Sequence, residues 1–255
     1  MQHAELSELF RILDLTGVFM NALLGGVIAR RERLDPIGYA TLAVLSGLGG
    51  GILRDVLLQH GRPAALTDDA YLLIALAGAA VSYLADVQGP TWERIWPVVD
   101  ALALGTWAAA GAQKSLAVGV GWLAAILLGT ITAVGGGAIR DVVMRRVPSV
   151  LGGNTLYASC AIVASGVLVI FSKNGMPNAG LVCSTVVGAG LCLLARRRGW
   201  FLPDADAWSP RQYVTRSALA RARRARVIRG LRVPRRAQRS HPDKRTRSDD
   251  ADSGA

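Results

Sequence analysis

A short stretch occurs twice in this chain, and it decides what the rest can be. Gly49-Gly50-Gly51-Ile52-Leu53-Arg54-Asp55-Val56 returns as Gly135-Gly136-Gly137-Ala138-Ile139-Arg140-Asp141-Val142, with six of eight positions identical at an offset of 86 residues. The same offset aligns Asp14 with Asp100, Ala22 with Ala108, Gly25 with Gly111 and Tyr71 with Tyr157, while Pro63 matches Pro148 with a slip of one. An offset held over most of each half marks an internal duplication. Each copy sets three glycines, an arginine and an aspartate inside an otherwise apolar run, where backbone breaks and charges are both costly.

The surroundings of the motif are apolar enough to matter. Hydrophobic residues make up 51% of the chain, and the mean hydropathy is +0.34. The net charge of +11 is confined to one end: residues 196–255 carry 17 Arg/Lys against 6 Asp/Glu, and residues 1–195 carry 12 against 12. A neutral, apolar body therefore bears a basic tail. Seven apolar segments of membrane-spanning length divide the body, at about residues 6–29, 36–58, 70–85, 96–113, 120–144, 155–171 and 179–195. Asp35-Pro36 reads as the start signal of the second. Trp92, Trp96, Trp122 and Trp200 fall near segment ends, where an aromatic belt would place them. Long segments without a polar face argue against a soluble helical protein. The first is too long for a signal peptide, is interrupted by Asp14 and lacks a small-residue cleavage pattern. The expected fold is all-α and polytopic.

Charge in the loops gives an orientation. Arg30, Arg31, Arg33, Arg94, Arg145, Arg146 and Arg196 to Arg198 lie on the side of the tail, against Arg11, Arg62, Lys114 and Lys173 on the other. The positive-inside rule puts the C-terminus in the cytoplasm and the N-terminus outside. Each repeat, at residues 6–86 and 92–172, holds three spans, so the second copy enters the membrane inverted. The seventh span, 179–195, stands outside the duplication, and residues 196–255 form the tail.

Three adjacent glycines weaken a helix by roughly 2–3 kcal/mol against alanine. The second and fifth spans are therefore expected to kink or unwind there, exposing backbone to a cavity; close helix packing is the plainer alternative. Arg54, Asp55, Arg140 and Asp141 cannot all face lipid, at a combined cost of about 10–14 kcal/mol. Adjacent side chains point about 100° apart on a helix. The expected partners are therefore Asp14 for Arg54 and Asp100 for Arg140, with aspartates that are interfacial and merely solvated as the plainer alternative.

Duplicated three-span repeats carrying Gly-Gly-Gly-x-x-Arg-Asp, followed by a seventh span, resemble the bacterial trimeric intracellular cation channels, a repeat also labelled a glycine-transporter domain. The resemblance covers about residues 6–196. It implies a homotrimer with a pore in each protomer, monovalent cation conduction with potassium favoured, and kinked second and fifth spans lining the path. By motif position the pore residues would be Gly49, Gly50, Gly51, Arg54, Asp55, Gly135, Gly136, Gly137, Arg140 and Asp141, with Asp14 and Asp100 as supporting charges. The Lys-Glu-Val motif of the animal members has no counterpart here.

The tail is expected to hold a helix from Trp208-Ser209-Pro210 to about Leu231, polar and disordered after Pro234, close to anionic lipid headgroups. Nucleic-acid binding is disfavoured, because the basic residues have neither aromatic interleaving nor a recognisable fold. His3, His60 and His241 form no catalytic or metal motif, and Cys160, Cys183 and Cys192 have no pairing or ligand spacing, so no enzyme activity, cofactor, metal or disulfide is expected. A carrier for a small solute such as glycine shares the architecture of a channel and stands as the alternative, with a lipid-anchored interaction protein behind it.

Overall fold

The computed structural model describes residues 2–85, 89–151 and 156–201. Every regular element among them is helical: α1 (Gln2–Arg31), α2 (Pro36–Leu58), a one-turn α3 (Ala64–Thr67), α4 (Asp69–Leu84), α5 (Pro90–Ala117), α6 (Trp122–Val143), a 3-10 turn at Ser149–Leu151, α7 (Tyr157–Lys173) and α8 (Pro177–Arg198). The helix and basic surface expected beyond residue 201 lie outside the described residues. Among the described residues α2, Trp92–Ala117 of α5, α6 and α8 are each long and apolar enough to cross a membrane, and α4 and α7 are shorter apolar helices.

Local chemistry explains the helix ends. Asp35 caps α2, its carboxylate accepting from the Gly38 N–H at 2.7 Å with Pro36 in the first turn. Asp68 caps α4 through the Ala70 N–H at 3.1 Å. It also receives Arg11 from α1, Nε to Oδ2 at 2.8 Å and the guanidinium tip to Oδ1 at 3.1 Å. That hydrogen-bonded guanidinium holds the Asp68 carboxyl below the usual carboxylate range. At the far end of α4, Arg30 donates to the carbonyls of Ser82, Tyr83 and Ala85 at 2.9, 2.6 and 3.1 Å, satisfying acceptors that the last turn leaves open.

Helices α1, α2 and α4 pack on one another as α5, α6 and α7 do, α2 crosses α6 between the two sets, and α8 lies on α5 and α7. The seams are built from small residues. Ala22, Ala43, Ala75, Ala101, Ala108, Ala161 and Ala164 are fully buried, so the backbones approach closely. Ser165 on α7 donates to the Ala108 carbonyl of α5 at 3.2 Å. The outside is the reverse of a soluble protein: Leu73, Leu127, Val142, Val186 and Ile170 are exposed, while Arg54, Asp55, Arg140 and Asp141 are buried. Apolar residues outside and charges inside fit lipid, not water, as the surrounding solvent.

The glycine triplets do not unwind their helices. Both α2 and α6 run unbroken through them. Each backbone group freed in a membrane interior costs several kcal/mol, and the triplet penalty of roughly 2–3 kcal/mol is too small to force a break.

Candidate functional site

The two motif copies meet where α2 crosses α6, and each glycine has its own task. A methyl group on Gly50 would land on the Thr132 carbonyl oxygen, and one on Gly136 would land on the Ser46 carbonyl oxygen, both far inside van der Waals contact. A methyl on Gly135 would stand 3.1 Å from the Gly50 Cα, and one on Gly49 would stand 2.9 Å from Ile139 Cδ1. The first two glycines of each copy therefore let the helices touch backbone to backbone. The third does something else. Helical side chains lean toward the N-terminus, so Arg54 folds back over Gly51 and Arg140 over Gly137, with guanidinium nitrogens 3.8 and 3.6 Å from where a methyl would sit.

From there each arginine reaches its own neighbour. Arg54 Nε donates to Asp55 Oδ1 at 2.8 Å, and Arg140 donates to Asp141 Oδ1 through Nε at 3.0 Å and the guanidinium tip at 2.8 Å. The expected Asp14–Arg54 and Asp100–Arg140 pairs do not form. The 100° separation of adjacent positions was the wrong criterion, because a long side chain lying over a glycine can curl around the helix. Asp55 is further neutralised by Lys114 of α5 at 2.8 Å. In each copy the second carboxylate oxygen holds the loop beyond the helix: Asp55 Oδ2 accepts from the Ala64 N–H at 3.0 Å, and Asp141 Oδ2 from the Ser149 N–H at 3.1 Å. Both donors directly follow a proline, Pro63 or Pro148, so the one-residue slip in the repeat is a loop-length difference that the same bond absorbs.

The supporting aspartates have tyrosine partners. Tyr71 donates its hydroxyl to Asp14 Oδ2 at 2.6 Å, and Tyr157 donates to Asp100 Oδ1 at 2.9 Å. Asp100 is also approached by Arg196 of α8 at 3.4 Å, whereas Asp14 makes no ion pair among the described residues. Two cavities result, both abutting the crossing. One, of about 20 Å³, is lined by Asp14, Gly51, Arg54, Tyr71 and Trp107. The other, of about 150 Å³, is lined by Asn21, Asp100, Gly137, Arg140 and Tyr157. Among the described residues no His, Cys, Asp or Glu cluster is arranged to hold a metal.

Sequence reasoning missed Tyr71 and Tyr157 as carboxylate partners, although their shared offset from Asp14 and Asp100 was a usable signal. It also missed Lys114 and Arg196. Neither has a counterpart in the other half, so the duplication could not point to them.

Comparison with known proteins bears on the whole body. A family model described as glycine transporter matches twice, at residues 11–86 and 97–173. A UPF0126 membrane protein of Deinococcus radiodurans is 31% identical over 199 residues, covering 78% of this chain and 93% of the relative. The UPF0126 inner membrane protein YadS of Escherichia coli K12 is 35% identical over 153 residues, covering 59% of this chain and 73% of that one. Among solved structures, a TRIC cation channel analysed for conductance matches at 29% identity with a TM-score of 0.70, over 76% of this chain and 96% of the other. The trimeric intracellular cation channel orthologue from Rhodobacter sphaeroides matches at 25% identity and a TM-score of 0.70, over 75% and 98% of the two chains. The paired Gly-Gly-Gly-x-x-Arg-Asp copies, the shared helical fold and the double family match together make this chain a membrane protein of the bacterial trimeric intracellular cation channel family.

Proposed function

We propose that the protein is a cation channel of the bacterial inner membrane, with one conduction path inside each protomer of a homotrimer and potassium favoured among monovalent ions. The observation that carries this is the pair of cavities at the α2–α6 crossing, each lined by an aspartate, a tyrosine and a motif arginine. Arg140 is paired with Asp141, and Arg54 and Lys114 share Asp55, with the Asp14 carboxylate lining the same cavity as Arg54, so the positive charge beside each cavity is offset. The tyrosine-bound carboxylates Asp14 and Asp100 then supply negative oxygen where a cation would shed part of its water. No chemical transformation is assigned; the protein acts as a conduit and not as an enzyme.

The pore residues in this reading are Gly49 to Gly51, Arg54, Asp55, Gly135 to Gly137, Arg140 and Asp141, with α2 and α6 bending at the triplets. Repeats at residues 6–86 and 92–172 are inverted about an axis in the membrane plane, a seventh span covers 179–195, and the N-terminus is outside. The basic residues of 196–255 would then face anionic headgroups in the cytoplasm. Single cysteines near Asp68 and Lys173 should react from outside and one near Arg94 only from within; reaction of all three from one side removes the inversion.

A carrier for a small solute such as glycine is the second reading, favoured by the description of the matching family model. Recording from purified protein in a planar bilayer separates the two. Step-like currents in potassium chloride, with a reversal potential set by potassium, are expected. Saturable, electrically silent uptake without unitary current would instead support the carrier.

A further inference from the structure

The two cavities are lined by offset-matched residues at most positions, yet one holds about 20 Å³ and the other about 150 Å³. The smaller has room for roughly one water and the larger for several. Asp14, Gly51, Arg54 and Tyr71 match Asp100, Gly137, Arg140 and Tyr157 in kind as well as in place. Among the positions that line both cavities, one pair differs most in bulk. Asn21 lines the larger cavity, and the residue 86 positions on, Trp107, lines the smaller. An indole exceeds a carboxamide by roughly 100 Å³ at the close-packed density of protein interiors. The cavities differ by about 130 Å³, a difference of the same order.

The indole is also fitted to its bed. A methyl group on Gly17 would come within 2.7 Å of Trp107 Cε2, and the position 86 residues on from Gly17 carries alanine, Ala103. Glycine thus occurs where the indole needs space and not in the matching place opposite Asn21. Trp107 is only 4% exposed, so it is held by packing at the cavity wall and does not swing in solvent.

We propose that Trp107 is the constriction of the conduction path, the residue that limits the rate and size of what crosses, and that Asn21 is its permissive equivalent in the other half. This rests on the channel function proposed above. Unlike a packing tryptophan, a constriction can be moved by exchanging the pair.

The test is unitary potassium conductance of purified wild type, Trp107→Asn, Trp107→Phe, Asn21→Trp and the double exchange in planar bilayers. Trp107→Asn should raise conductance at least two-fold, with Trp107→Phe between it and wild type. Asn21→Trp should lower it by a similar factor, and the double exchange should return toward wild type because the narrow point has been relocated. If Trp107→Asn does not assemble, Asn21→Trp decides, since the larger cavity has space for the added indole. Unchanged conductance in the assembled variants overturns the proposal.

A second measurement stands apart from conduction. Val18 lines the smaller cavity beside Trp107. A Val18→Cys protein in a Cys183→Ser background is treated with a trimethylammonium methanethiosulfonate. Trp107→Asn should accelerate its modification at least ten-fold. Faster labelling without current in any protein, wild type included, would remove the channel function and leave Trp107 as the barrier. Unchanged labelling would overturn the constriction even if wild type conducts.

Discussion

Placing a methyl group on each of two neighbouring glycines should give opposite results. At Gly50 the methyl meets the Thr132 carbonyl oxygen of the facing helix, a backbone atom that no rotamer change can move. Favourable carbon contacts lie at about 3.5–4.0 Å, so α2 and α6 must part by roughly an ångström or more. Overpacking of this kind costs about 1–3 kcal/mol, and more where backbone must shift. The better helix propensity of alanine returns only about 1 kcal/mol. At Gly51 the methyl would stand 3.8 Å from the Arg54 guanidinium, an ordinary contact, so the propensity gain is expected to dominate. Gly50→Ala should therefore melt below wild type and Gly51→Ala at or above it, a gap of about 1–3 kcal/mol or more between adjacent sites. Gly136→Ala and Gly137→Ala should repeat the contrast, since their methyls meet the Ser46 carbonyl and, at 3.6 Å, the Arg140 guanidinium. The assay is thermal unfolding of the purified protein in mild detergent, with cation flux in vesicles alongside. If all four variants lose stability equally, the triplets serve backbone flexibility and the division of labour described for them is wrong.

Two more outcomes follow from the ion pairs and caps. Asp55→Ala strands Arg54 and frees the Ala64 N–H, and should cost about 3–5 kcal/mol, whereas Asp14→Asn keeps an acceptor for Tyr71 and should cost about 1 kcal/mol; unfolding of both in the same detergent compares them. Arg30→Ala removes the donor to three carbonyls at the end of α4 and should destabilise by about 1–3 kcal/mol, seen as early proteolysis between α4 and α5.

The chain announced its helices and its duplication, and hid its pairings. Apolar runs such as the one opened by Asp35-Pro36 fell close to the helices observed, because backbone satisfaction in lipid leaves few choices. The crossing of α2 on α6 was written in the glycines, but as one of two options. Water-based helix propensities favoured a break, and the larger cost of open backbone in a membrane prevents it. Arg54 was assigned the wrong aspartate because the direction of a Cβ says little about where a four-bond side chain ends. Its path back over Gly51 to the neighbouring aspartate shows only once the side chain is built. Trp107 drew no attention, since within α5 it looked like any apolar core residue.

The contacts at the crossing are reciprocal: Gly50 lies on Thr132, Gly136 lies on Ser46, and Ser46 and Thr132 are themselves offset partners. This is the self-complementarity of an interface between two identical subunits, here enclosed in one chain. Such a surface resists drift, because a change in either copy must fit the other copy as it stands. Six of eight motif positions have stayed the same. On α1 and α5, which flank the crossing, each copy meets neighbours the other does not, and there the halves have parted company, Lys114 from Ile28 and Trp107 from Asn21. Fusing two copies into one polypeptide permits that divergence, which a pair of identical subunits could never show.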